Sequence, residues 1–582
     1  MDSILSNCTL AGYAPVMPNP CPSVLPVSVV DERLAAVDAL FAPYNRADAP
    51  GCVVGIAWDG RLAYRKAFGL ASVRHGVANT PRSRMRIGST SKHFTCLAAL
   101  MLAEEGRLDL DAPVSQALPD LALPALQGQP TLRQFMSHTS GWRCALDLSL
   151  LGNGSALMPQ GWMPAAVARQ RGVNFAPGHG QIYSNSGYHL LSMAIDLAAG
   201  MPLEAFLRER VFAPLGMHDT EGVPSDTRVT RDMVSNHVPD PAGGWRHAHM
   251  WTEEIRGEGN LVSTVDDMLC WLAHLRGPKQ VGSEAAWRQL LEPTDLADGT
   301  RSPYGLGLVR REYRGLEVIE HAGGVAGGNS QMLTVPAHAL DIVLMSNGLL
   351  ASMRDLAPRI IDILLAEHLG PEAARASLAN FQHLVGARYH GPSGRTISFG
   401  AVGDHLGLSF LDNPPFATLR DEGEHLRLRF EDTATCDLWL RVAELAAQAD
   451  GQPPATIELR DAGHLERLVR LPVTAPAPEA AGAPLRGPWV CHDLPATAEI
   501  VIEGEALVLW LRGDYSARRR LCLTPLSDKV FGVADPGLPM GGRWVLTRDD
   551  DGGTHATRFT LDGPRTRHLS FERPADPTHT SP

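Results

Sequence analysis

Apolar positions follow three different rhythms along this chain, and each predicts a different kind of element. Between Asp31 and Tyr44 they recur at helical spacing, with Leu34, Val37, Leu40 and Phe41 on one face. The following segment, GCVVGIAWDGRLAYRKAFG, carries two apolar runs around Asp59-Gly60, a dipeptide that suits a tight hairpin. A long apolar helix is predicted in SKHFTCLAALMLAEEG, ended by Gly106. Much later, GLEVIEHAGGVAGG, SQMLTVPAHALDIVLMSN and RDLAPRIIDILLAEHLG read as a strand, paired strands and a closing helix. Two early and several late strands with helices between them predict an α+β domain: an antiparallel sheet carrying a mainly helical insertion. The first thirty residues, rich in Pro and turn formers, are expected to be an irregular lead-in.

After Gly370 the rhythm shortens. Segments such as GRTISFGAVGDHLGLSF, HLRLRFED and CDLWLRVAEL alternate over a few residues between turns, as in an all-β domain. PVTAPAPEAAGAP reads as a semi-rigid extended linker, after which the short-strand pattern resumes through AEIVIEGEALVLWLRG, RRRLCLTPLS, KVFGV, GRWVLTRDD and ATRFTLDG. The predicted organisation is therefore a first domain over 1–370, a β domain over 371–471, a linker over 472–484 and a second β domain over 485–582. A chain of 582 residues suits two to four domains.

Charge narrows the partners. A net charge of -12 argues against nucleic acid and anionic membranes, both of which need a basic face. No stretch approaches the roughly 20 apolar residues of a membrane span, and the N-terminus lacks the basic start and apolar run of a secretory signal. The nine cysteines show neither close pairing nor a Cys-x-x-Cys motif. Together these features read as a cytoplasmic protein with thiols rather than a disulfide framework.

Three motifs carry chemistry. In RIGSTSKHF, Ser89 and Lys92 stand three apart at a helix start, on one face and within mutual reach. A serine hydroxyl needs a neighbouring base to become a nucleophile. Lysine can be that base only if its pKa falls from about 10.4 towards about 7–8, which burial in an apolar helix promotes. In GQIYSNSGYHLL, Tyr183 could relay a proton and Asn185 could orient Lys92 and the substrate carbonyl. In IEHAGGVAGG, His321 ends an apolar strand, and Gly323 and Gly324 would let a substrate approach the backbone. Backbone N–H groups there could join that of Ser89 in an oxyanion hole. Taken alone, the first motif reads better as a helix cap with a solvated lysine and the second as an Asx or Ser turn, and the third also reads as a glycine-rich turn. The pair His247 and His249 has no acidic partners at metal-ligand spacing, so no metal or cofactor is expected.

In their order and spacing the three motifs resemble the penicillin-recognising serine hydrolases. LRQFMSHTSGW around His138, FAPLGMHDT, GEGNLVSTVDDM and SPYGLGLV resemble further phrases of that family, and the resemblance covers about residues 31–370. It implies a β-lactamase-like catalytic domain and an acyl-enzyme on Ser89 with Lys92 as general base. Many members carry lysine at the start of the third motif to meet a substrate carboxylate, whereas this chain has His321. That substitution and the two β domains make the chain similar to the D-aminopeptidases, which release N-terminal D-amino acids from peptides and amides. In that family the appended domains resemble lipocalin-like barrels, and a loop of the last one carries an aspartate into the cleft to meet the substrate's free ammonium. The matching segment here is Trp510 to Arg520, and Asp514 stands at the corresponding place, with Arg518, Arg519 and Arg520 near enough to compete for it. The resemblance also implies β-lactams as inhibitors and a homodimer. An esterase or β-lactamase-like hydrolase, and a non-catalytic β-lactam-binding protein of the same fold, remain open alternatives.

Overall fold

The computed structural model describes residues 23–24, 31–123, 128–349, 352–410, 417–428, 438–462, 464–535, 544–549 and 555–574. Most of the lead-in expected at 1–30 lies outside them; its strand β1 (Ser23–Val24) pairs parallel with Arg61 and Leu62. Helix α1 (Asp31–Phe41) precedes the hairpin of β2 (Cys52–Trp58) and β3 (Arg61–Phe68). At its tip Asp59 and Gly60 have φ of 50° and 72°, the left-handed pair that a two-residue hairpin turn needs. Five helices frame the rest of this domain: α2 (Lys92–Glu104), α3 (Ala145–Asn153), α4 (Asn185–Ala199), α5 (Val265–Arg276) and, at its end, α6 (Met353–Leu364). Between α5 and α6 run β4 (Val309–Tyr313), β5 (Leu316–Val325), β6 (Gly328–Val335) and β7 (Leu340–Ser346).

The sheet order is β1-β3-β2-β7-β6-β5-β4, antiparallel throughout except for β1. Early and late strands thus meet where β2 pairs with β7, so the helical insertion is closed by the strands that flank it. Central strands are buried on both faces. Val54 and Ile56 join α1 and α6 through Val37, Phe41, Ile360 and Leu364. Val53 and Ala57 face the opposite core, built from α2, α4 and α5.

The first β domain is a nine-stranded antiparallel sheet whose terminal strands, Ala417–Thr418 and Arg420–Asp421, are separated by one residue, so the sheet curls back on itself. The second is a closed eight-stranded barrel from Gly487–Cys491 to Leu569–Glu572, filled by Trp489, Phe531, Leu546, Phe559 and Phe571. One expectation fails between them. The stretch 472–484 is not an extended linker: Pro478–Gly482 is helical, and Ala481 and Leu485 enter the barrel core. Proline at the first turn of a helix is pre-set for it, and the following alanines are good helix formers.

The second barrel is fused to the first domain through α3. Leu148 and Leu151 belong to the barrel's own apolar core. Nearby, Arg143 pairs with Asp493 and donates from Nε to the Arg567 carbonyl at 2.9 Å and from Nη2 to the His568 carbonyl at 2.8 Å.

Cys52, Cys96, Cys144, Cys491 and Cys522 are free, but Cys270 is disulfide-bonded, which departs from the expectation of a wholly unpaired set. Among the described residues no single helix is long and apolar enough to cross a membrane. Since Leu151 is buried in a core shared by two domains, Leu151→Ala is expected to cost about 2–5 kcal/mol in chemical denaturation. A cost near zero would show that α3 does not join them.

Candidate active site

Ser89 lies in the short turn Gly88–Ser91 that runs directly into α2. This turn is pressed against β5. A Cβ on Gly88 (φ 52°) would stand 2.8 Å from the Gly324 carbonyl oxygen, and one on Gly323 would stand 1.9 Å from that of Ile87. Hydroxyls stitch the same seam: Thr90 Oγ1 donates to the His321 carbonyl at 3.2 Å and Ser330 Oγ to that of Ile87 at 2.8 Å. Glycine at 88 and 323 is thus required for the first and third motifs to touch.

Lys92 is wholly buried at the first turn of α2, where the helix dipole also disfavours a cation. Its Nζ lies 3.0 Å from Ser89 Oγ, 2.8 Å from Asn185 Oδ1 and 2.6 Å from the Glu258 carbonyl oxygen. The last two atoms can only accept hydrogen bonds. A neutral amine donates its two protons to them, and its lone pair is then left facing the Ser89 hydroxyl. Desolvation lowers the Lys92 pKa to about 7, while the Glu258 carboxylate opposes the fall. Glu258 is itself buried; burial favours its neutral form, but His189, with Nδ1 at 3.2 Å, keeps it on the ionised side.

Tyr183 and Asn185 reach the same place from the start of α4. The Lys92 nitrogen is 4.8 Å from the Tyr183 ring centroid. The Tyr183 hydroxyl is buried without a well-formed hydrogen bond, and burial raises its pKa, with contact to Ser89 acting the other way. It therefore stays a phenol, able to give or receive one hydrogen bond when a substrate enters.

His321 sits at the end of a directional chain that begins in the tyrosine motif. The Ser184 backbone N–H donates to His138 Nδ1 at 3.1 Å, so the His138 proton is on Nε2, 3.2 Å from the Tyr304 hydroxyl. His321 Nδ1 lies 2.6 Å from the Ala322 carbonyl and must donate to it, which leaves Nε2 to accept from Tyr304 at 3.1 Å. Each tautomer follows from an unambiguous neighbour. Both imidazoles are neutral: burial first, reinforced by the Lys92 charge whenever that amine is protonated, brings His321 down to about 3 and holds His138 well below the usual range. His138 has φ of 61°, a left-handed conformation costly for a side-chain-bearing residue, and bonds at both ring nitrogens hold it there. The sequence pattern marks His138, Tyr304 and Glu258 only as parts of familiar phrases, because partners so far apart along the chain leave no local signature.

Ser89, Tyr183, Tyr304, His321, Gly323 and Gly324 line one cavity of about 360 Å³. A Cβ on Gly324 would meet no atom within 4 Å, so this stretch of β5 opens onto the cavity. Asp514 is not there. It is exposed, and its loop docks on the end of α3: Tyr515 N donates to Asn153 Oδ1 at 3.1 Å and Ser516 Oγ to the Gly152 carbonyl at 3.2 Å. The neighbouring arginines do not compete for Asp514; Arg518, Arg519 and Arg520 pair with Glu499, Asp535 and Glu503. The loop 510–520 therefore does not bring Asp514 to the site, because α3 holds its backbone. A different loop of the same barrel lines the cavity, through Arg565. His247 and His249 join no group of three or more potential metal ligands among the described residues.

A serine with a buried lysine base, set between an antiparallel sheet and a helical lobe, defines a β-lactamase-like hydrolase. The Beta-lactamase family model matches residues 37–365, more than half of the chain, and the chain belongs to that family. It is 29% identical over 325 residues to a D-aminopeptidase of Gluconobacter oxydans (strain 621H), covering 55% of this chain and 59% of the relative, so less than two thirds of that protein is spanned. It is 27% identical over 402 residues to a D-aminopeptidase of Cereibacter sphaeroides (strain ATCC 17029 / ATH 2.4.9), covering 69% and 74%. The octameric penicillin-binding protein homologue from Pyrococcus abyssi shares the fold, with a TM-score of 0.52 and 21% identity over 76% of this chain and 100% of that one.

Tyr304→Phe would leave His138 Nε2 and His321 Nε2 without their shared partner. A loss of about 1–3 kcal/mol in unfolding free energy is expected; unchanged stability would show that the chain does not tie the motifs together. Because an amine can take a proton only when neutral, a reaction that uses Lys92 as its base should show kcat/KM rising with pH through about 7 and then levelling off. A profile flat from pH 5 to 9 would contradict the assignment of Lys92.

Proposed function

We propose that this hydrolase releases N-terminal D-amino acids from short peptides and amides through an acyl-enzyme on Ser89. The observation that carries the chemistry is the placement of the buried Lys92 nitrogen, whose two acceptor-only neighbours turn the lone pair of its neutral form towards Ser89 Oγ. The D-amino acid preference rests on the similarity to the D-aminopeptidases.

In the proposed reaction Lys92 takes the Ser89 proton as Oγ attacks the substrate carbonyl. The tetrahedral oxyanion is received by backbone N–H groups at Ser89 and along β5 beside Gly323 and Gly324. Such donors contribute about 2.7–4 kcal/mol each in comparable sites. Collapse breaks the C–N bond, and the leaving nitrogen takes its proton from Lys92, with the Tyr183 hydroxyl placed to pass it. Water, activated by Lys92, then cleaves the ester and frees the acid. His321, neutral and already engaged at both nitrogens, orients the β5 edge and carries no charge to the substrate.

Purified protein is expected to cleave D-alanine p-nitroanilide at least about tenfold faster than the L-isomer, a difference of about 1.4 kcal/mol. Ser89→Ala should abolish this, and Lys92→Met should reduce it by about 10²–10⁴. Penicillin G should acylate Ser89, detectable as a mass increase that Ser89→Ala lacks. Turnover of short-chain esters or a cephalosporin with no D-amide activity would replace this reading by a different specificity within the family.

A further inference from the structure

The loop of the second barrel that reaches the cavity carries a cation, not the anion the resemblance implies. Arg565 lies in the turn between strands Arg558–Asp562 and Leu569–Glu572. Its backbone is locked to the helical lobe. The carbonyl accepts from Cys144 N at 3.4 Å and Asn174 Nδ2 at 3.1 Å, and the amide donates to Asp147 Oδ2 at 3.0 Å. Its guanidinium donates from Nε to Asp147 Oδ1 at 2.8 Å, with Nη2 bonded to the same oxygen. Asp147, on α3, is only 6% accessible and has both oxygens engaged by Arg565. The third guanidinium nitrogen, Nη1, makes no hydrogen bond to any described residue, and the side chain, 21% accessible, lines the cavity of Ser89.

This pair is polarised. Arg565 lines the cavity and Asp147 does not, and both carboxylate oxygens are taken up by Arg565. A planar fork with an unused N–H group is suited to a carboxylate, and a second oxygen can reach the remaining Nη2 proton. The residue that opens the third motif cannot do this work, because His321 is neutral with both nitrogens engaged. Arg354, at the first turn of α6, lines the same cavity from beside β5.

We propose that Arg565, supplied by the last barrel, is the receptor for a substrate carboxylate, so that the site selects short D-peptides ending in a free carboxylate over their carboxamides. This rests on the proposed hydrolysis at Ser89, and it assigns the barrel a selective role at the opposite pole of the substrate from an ammonium.

Binding tests it independently of turnover. Full-length Ser89→Ala protein is titrated calorimetrically with D-alanyl-D-alanine and with D-alanyl-D-alaninamide. The free acid should bind at least tenfold more tightly. In Ser89→Ala carrying Asp147→Asn and Arg565→Gln, which leaves no buried charge unpaired, that ratio should fall below threefold. Arg565→Lys, which keeps a charge opposite Asp147, should give an intermediate ratio if the neutral pair does not fold. Equal affinity for the two ligands, binding of neither, or a preference that survives loss of Arg565 and disappears in Arg354→Gln would overturn the proposal. Failure of the intact protein to turn over any D-amide would instead count against the reaction at Ser89, while the binding ratio still reports on Arg565.

Discussion

The site depends on keeping a primary amine out of water. Lys92 is reached by no solvent and pairs with no carboxylate among the described residues; its hydrogen-bond partners are a hydroxyl, an amide oxygen and a backbone carbonyl. Such surroundings stabilise a neutral amine and penalise an ammonium. Several features of the first domain serve that condition. The sheet and α2 bury the nitrogen, α4 brings the amide oxygen, and the segment carrying Glu258 brings the carbonyl. The glycines at 88 and 323 let the serine turn and β5 close without a gap.

Much of this is written locally. Helix α1, the hairpin of β2 and β3, the apolar α2 and the three late strands follow from periodicity and turn residues, and the three motifs fall where those elements meet. What periodicity does not carry is the meeting of distant polar groups. His138 and Tyr304 are separated by 166 residues, and each alone is an ordinary buried side chain. The misplacement of Asp514 has a similar origin. A charged hairpin tip looks the same in sequence whether it enters a cleft or rests on a helix, and here Asn153 at the end of α3 decides. The stretch 472–484 misleads differently, since proline begins a helix as readily as it extends a linker.

Helix α3 links the parts of the molecule. On one side it contributes Leu148 and Leu151 to the interior of the barrel; on another it anchors the 510–520 loop; with Asp147 it fixes Arg565 at the cavity wall. One helix therefore couples the packing of the appended domain to the polarity of the site. A catalytic set built on α2, α4 and β5 can stay unchanged while barrel loops alter what the cavity meets.

That coupling has a temporal side. Residue 565 is made 418 residues after Asp147, and Ser89 and Lys92 are made earlier still. During synthesis Ser89 and Lys92 can come together while the cavity still lacks a wall and Asp147 still lacks its counter-charge. The apolar face of α3 is also bare until the barrel closes over it. The cavity wall is therefore completed by a turn made long after the residues it stands beside, so the polarity of the site depends on the barrel having folded.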